Sequence, residues 1–222
     1  MSGPPPWVTA PARSTTPPGQ RHVGLWVACL GLALAVAVVW PVVTGFGPVR
    51  SLVYGSPWVA SFLYAAVGSV VLGSALVASL LTRVPLAGAV VATLGSGLLS
   101  LVGFVVFLVT SQVDLGVGGV VRQLVDSVVW GLVSGIAFLG LDLLRGRLPA
   151  LTVPLGALVG AVVGFATAVL TLAYIVVSNR DLQLLVLRFD LFQDVVKIVL
   201  LTLVGAACGA VAAGRGAAVP RP

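Results

Sequence analysis

Six stretches of this chain are too long and too apolar to belong to a fold that meets water on its outside. They run near residues 23–46, 59–81, 86–110, 126–144, 151–177 and 195–213. Each reaches or approaches the ~20 residues a helix needs to cross the hydrocarbon of a bilayer. The fifth holds no charged residue. Lipid offers backbone amides no water to bond, so a spanning segment must be a helix or part of a closed barrel. The short alternating pattern of barrel strands is absent. The sequence therefore predicts an all-α fold: a polytopic membrane bundle of about six transmembrane helices occupying residues 21–214.

Composition supports that reading. Only 8% of the 222 residues are charged and 59% are hydrophobic, whereas an ordinary soluble domain carries about 25% charge. The net charge of +6 would point to nucleic acid if the basic residues formed one patch. They are instead spread thinly at the ends of apolar runs, where they read as topology signals, and no nucleic-acid partner is expected. All six acids are Asp, and one Lys stands against 11 Arg. With so much Ala, Val, Gly and Leu, this usage fits a GC-rich bacterial genome and a bacterial plasma membrane.

Residues 1–20 are rich in Pro, Ser, Thr and Gly and hold too little apolar surface to fold. They predict a disordered cytoplasmic tail, with residues 215–222 a second, shorter one. The first apolar run exceeds the roughly 7–15 residues of a signal-peptide core, and Trp40-Pro41 lies where cleavage would be sought. It reads as an uncleaved first span.

Basic residues favour the cytoplasmic side of a membrane. With both termini inside, seven basic residues lie inside: Arg13, Arg21, Arg83, Arg145, Arg147, Arg215 and Arg221. Five lie outside, namely Arg50, Arg122, Arg180, Arg188 and Lys197. The acids Asp114, Asp126, Asp181, Asp190 and Asp194 then fall outside and Asp142 inside.

The chain can also be read as three copies of one two-helix hairpin. Arg83-Val84-Pro85 and Arg147-Leu148-Pro149 match as turns. Arg50-Ser51-Leu52-Val53 and Arg122-Gln123-Leu124-Val125 each precede a Trp, at residues 58 and 130. Such hairpins would stack as parallel repeats about an axis along the membrane normal.

Two external segments read as amphipathic helices. Residues 119–130 place Arg122, Gln123, Asp126 and Ser127 on one face and Val120, Val121, Leu124, Val125 and Val128 on the other. Arg122 and Asp126 are four apart and can pair. Residues 189–197 place Asp190, Gln193, Asp194 and Lys197 together, opposite Phe189, Phe192 and Val196. Segments of this kind lie along the interface or lead obliquely into a span. Arg122, Asp126, Asp190, Asp194 and Lys197 thus form the candidate external polar face. Asp194 and Lys197 are the deepest of them, about one turn into the sixth span.

Small residues at four-residue spacing let helix backbones approach closely in lipid. Gly131 and Gly135 mark the fourth span, Gly156, Gly160 and Gly164 the fifth, and Gly205 and Gly209 the sixth. Ala65, Ser69 and Gly73 mark the second, and Gly88, Ala92, Ser96 and Ser100 the third. The use expected for these stripes is helix packing within the bundle, with a homo-oligomer through an outward-facing stripe as the alternative. Gly95-Ser96-Gly97 would either loosen the third helix or mark a close approach.

Chemistry is sparse. Cys29 and Cys208 sit in apolar runs as small hydrophobes, with no disulfide framework or metal spacing. The lone His22 stands beside Arg21 and cannot serve a mid-membrane serine as base. No pair of facing mid-membrane acids is expected, and Gly116-Val117-Gly118-Gly119 lacks the Lys-Ser/Thr of a phosphate loop. No metal and no cofactor is expected. The leading reading is a non-enzymatic membrane subunit or assembly component working beside lipid and a partner. The alternative is a transporter or channel component for an uncharged or apolar solute, its path lined by Ser69, Ser100, Ser134, Thr167 and Thr171. A third is an enzyme acting at the outer interface through Asp126, Asp190 or Asp194.

Overall fold

The computed structural model describes residues 18–46, 51, 55–111, 116–141, 151–178 and 187–217. The expected tails at 1–17 and 218–222, the turn bearing Arg145 and Arg147, and Arg50, Asp114, Asp142, Arg180 and Asp181 lie outside these residues. Among the described residues the chain is helical, without strands. Six long helices follow in order: α1 Pro18–Phe46, α2 Pro57–Leu81, α3 Ala87–Ser111, α4 Gly116–Leu139, α5 Val153–Ser178 and α6 Leu187–Ala217. Each contains a window long and apolar enough to cross a membrane.

Local chemistry sets the helix ends. Pro57 opens α2 behind Ser56, whose extended backbone (φ −142°, ψ 111°) starts the turn; proline suits a first turn because its missing N–H would have had no partner there. At the other end the carbonyl of Ala78 accepts both the amide and the hydroxyl of Thr82, at 3.3 and 2.6 Å. Arg215 donates from Nη1 to the Leu81 carbonyl at 3.3 Å, which ties the end of α6 to the end of α2. The turn into α3 closes through Leu86 at φ 56°, a left-handed conformation that costs a side-chain-bearing residue about 1–2 kcal/mol. Inside α1, Pro41 has no N–H to offer the turn before it. Thr44 donates its hydroxyl to the Trp40 carbonyl at 2.9 Å in the same stretch.

The helices alternate in direction. Ala33 meets Gly95 and Gly45 meets Val106, so α1 and α3 run parallel. Gly88 of α3 meets Ser79 of α2, near the opposite end of the bundle. Trp58 and Phe192 stack edge to face with centroids 5.3 Å apart, so α2 and α6 also run parallel. One end of the bundle therefore carries residues 81–87 and the last turn of α6, here called the terminal face. The other end is the far face.

The most buried helix is α2. It packs against α1, α3 and α6, and Val71, Ala75, Leu76 and Ala78 are almost wholly enclosed. Outside it, α4 leans on α3 and α5 leans on α6. The three hairpins thus share connectivity but are not packed alike: α2 packs against three helices, α6 sits between α2 and α5, and α4 lies at the edge. Side chains such as Val117, Ile136, Leu158 and Leu203 point away from the bundle, as apolar residues facing lipid do.

Two helices are longer than the apolar runs foretold. The fourth was expected to start at 126 behind an interfacial helix over 119–130; instead α4 is continuous from Gly116 to Leu139. The sixth, expected over 195–213, starts at Leu187 and absorbs the second amphipathic segment. Likewise α1 starts three residues inside the expected tail, and Arg215–Ala217 belong to α6. No break occurs at Gly95-Ser96-Gly97: α3 runs through it.

Candidate functional site

Glycine stripes set the distances between helices. Gly156, Gly160 and Gly164 of α5 face Gly209, Gly205 and the Leu201 backbone of α6. A Cβ on any of them would run into a backbone carbonyl of the opposite helix. Gly131 of α4 lies against the Thr93 carbonyl and Gly97 of α3, and Gly135 lies against Thr93 and the Ala89 carbonyl. Gly95 faces Val71 and Ala33. In lipid, close approach gains dispersion contact where no hydrophobic drive remains.

Those contacts also fix depth. Ser100 and Ser127 share a hydrogen bond at 3.0 Å, and each lies at the midpoint of its helix. Asp126 precedes Ser127, and Arg122 is one turn closer to the far face, about 6 Å away along the axis. Both lie far inside α4 rather than in an external segment. Arg122 Nε stands 4.0 Å from Asp126 Oδ2, and their side chains are 82% and 54% exposed. The expected polar face is split. Ser127 is buried against α3, where it also donates to the Gln123 carbonyl at 2.9 Å, while Arg122 and Asp126 occupy a flank. Val129 and Val133 continue that flank at spacings of three and four.

On α6, Lys197 Nζ lies 3.9 Å from Asp194 Oδ1, and both side chains are only 12% exposed. A Cβ on Gly68 would touch the Lys197 stem at 3.4 Å. Gly68 is at the midpoint of α2, so this pair is also deeper than one turn into its span. The next residue, Ser69, is buried with no hydrogen-bond partner for its hydroxyl among the described residues. Asp190 falls in the first turn of α6, four residues before Asp194, and its side chain lies outside the described residues. The five residues of the expected external face are thus divided between α4 and α6.

The hydroxyls expected to line one path are dispersed. Ser100 bonds Ser127, Ser134 is buried on α4, and Thr167 of α5 donates to the Val163 carbonyl at 2.9 Å. The side chain of Thr171 lies outside the described residues. Sequence reasoning did not find a cavity of about 200 Å³ among α1, α2 and α3, toward the far face. Trp40, Tyr64 and Phe107 contribute rings to its wall, Thr44 and Thr110 hydroxyls, and Gly103 an open side. Trp40 and Tyr64 meet edge to face at 5.8 Å. On the lipid side of α1 and α2, an apolar groove of about 430 Å³ adjoins it at Trp40 and Val67. No signal in the sequence could have shown this cavity, since its walls come from three separate helices.

Comparisons with protein-family models, curated proteins and solved structures return no match. The fold by itself defines a class: six helices apolar enough to span make this an integral, multi-pass membrane protein in contact with lipid.

Proposed function

We propose that this protein is a non-enzymatic membrane subunit or assembly component whose α4 flank meets a partner chain inside a bacterial plasma membrane. One observation carries the reading: Arg122 is 82% exposed about two turns inside the start of α4, within its membrane-spanning window. A charged side chain inside a span is costly when lipid surrounds it, by ~2.5–3.5 kcal/mol or more at the centre, and long ones near an end relieve the cost by reaching the interface. Pairing with Asp126 recovers part of that, and a polar surface on a neighbouring chain would recover the rest. Cytoplasmic termini fit the same picture. With Arg122 and Lys197 inside spans, the external basic residues are Arg50, Arg180 and Arg188, three against seven inside.

A photoreactive benzoylphenylalanine at Val129, on the Arg122 flank, tests this in intact cells. The reading expects a protein adduct whose mass distinguishes a second copy from another chain. Position 203, on the lipid side of α6, should give none. Lipid adducts alone from both positions would sink it.

A second reading, movement of an uncharged solute, is favoured by the buried Asp194–Lys197 pair beside Gly68 and Ser69, since charges enclosed in a span often mark a pathway. It requires solute flux into liposomes above the protein-free rate, lost on Asp194→Asn with folding intact.

A further inference from the structure

We infer that the cavity among α1, α2 and α3 binds a small, uncharged, lipid-soluble alcohol: one hydroxyl on a single apolar ring, of the phenol type, entering sideways from the bilayer. This goes beyond the subunit reading and depends on different residues.

Size comes first. The cavity measures about 200 Å³, and an enclosed apolar cavity of about 150 Å³ is enough to hold benzene. A single ring fits. Charge comes next. Among the described residues no Asp, Arg, Lys or His lines the cavity, and an ionised ligand there would lack a counter-charge from them. Three rings in the wall, Trp40, Tyr64 and Phe107, suit an aromatic or compact apolar body, which gains offset or edge-to-face contact.

The hydroxyls decide the polar group. Thr44 donates to the Trp40 carbonyl, and Thr110 donates to the Val106 carbonyl at 2.8 Å. Each has spent its one proton on its own helix and retains acceptor lone pairs. What these two oxygens can take is a donor, and an uncharged O–H supplies one. Trp40, in the same wall, has a buried indole N–H with no partner among the described residues; a hydroxyl can accept from it and still donate to a threonine, whereas a carbonyl could only accept.

The route follows from the adjoining groove. Ala35, Val36, Val39, Val43, Ala66 and Val70 line it with hardly any polar surface. Trp40 and Val67 belong to both groove and cavity, so the indole stands at the junction. A molecule dissolved in the acyl chains reaches the junction without crossing water.

Gly103 gives the test. A Cβ added there meets nothing within 4 Å, so Gly103→Leu fills the cavity without forcing backbone apart. The full chain in lipid nanodiscs is titrated with 4-fluorophenol and with fluorobenzene, followed by fluorine NMR. The wild type should show a saturable, shifted 4-fluorophenol resonance that unlabelled phenol displaces. Gly103→Leu should abolish it while helicity and elution volume stay unchanged, with Gly103→Val as the smaller filler if the Leu variant does not fold. Thr44→Val with Thr110→Val should weaken 4-fluorophenol about tenfold and leave fluorobenzene within about twofold. The inference is overturned by a wild type without saturable binding, by a folded filler variant that still binds, or by threonine variants that treat the two probes alike.

Discussion

Lys197 and Asp194 share one side of α6 and are almost closed off from their surroundings. Removing one member of a buried pair leaves the other charge without its counterpart, at a cost of about 3–5 kcal/mol, whereas replacing both with apolar residues is often neutral. Lys197→Met should therefore destabilise the protein by about that amount in reversible unfolding with a denaturing detergent. Adding Asp194→Leu should restore most of the loss. A single variant that loses less than ~1 kcal/mol would mean the pair is wet. The pairing was legible in the sequence, because residues three apart on a helix face one another. Its enclosure was not. Burial came from Gly68 on α2, and nothing in the local sequence of α6 announces which helix will lie beside it.

At the scale of helices, α5 and α6 are joined by glycine contacts that leave no room for a methyl group. Gly205→Ala would press a Cβ into the Gly160 carbonyl, and overpacking of this kind costs about 1–3 kcal/mol. Gly31, on the outside of α1, has nothing within 4 Å of an added Cβ, so Gly31→Ala should gain about 0.5–1 kcal/mol from reduced chain entropy. Both values are read from unfolding midpoints followed by helical circular dichroism. Equal effects from the two variants would contradict the close approach. Helix positions were readable from apolar run length, and the boundaries failed at two places for one reason. Residues 119–130 and 189–197 look amphipathic although some of their polar residues pack inside the bundle, as Ser127 does with Ser100 and Asp194 with Lys197, while Arg122 and Asp126 sit on an exposed flank. Periodicity records that a helix has two faces and says nothing about whether the polar one meets water or another helix.

For the molecule as a whole, orientation is the coarsest property that remains to be measured. In a background with Cys29 and Cys208 replaced by Ala, Ser51→Cys should react with an impermeant maleimide in intact cells. Arg83→Cys should react only after permeabilisation. The reverse pattern would invert the topology. The order in which the chain is made has its own consequence. α2 is the most enclosed helix, yet its Gly73 side is completed by Val204, which is synthesised 131 residues later. At 5–20 residues per second the ribosome needs roughly 7–26 s to cover that distance. Throughout that interval Gly68, Ser69 and Gly73 stand in the membrane with no α6 beside them. A nascent chain with its central helix half-covered for so long is a natural client for an insertion chaperone, and stalling synthesis before residue 187 should trap that encounter.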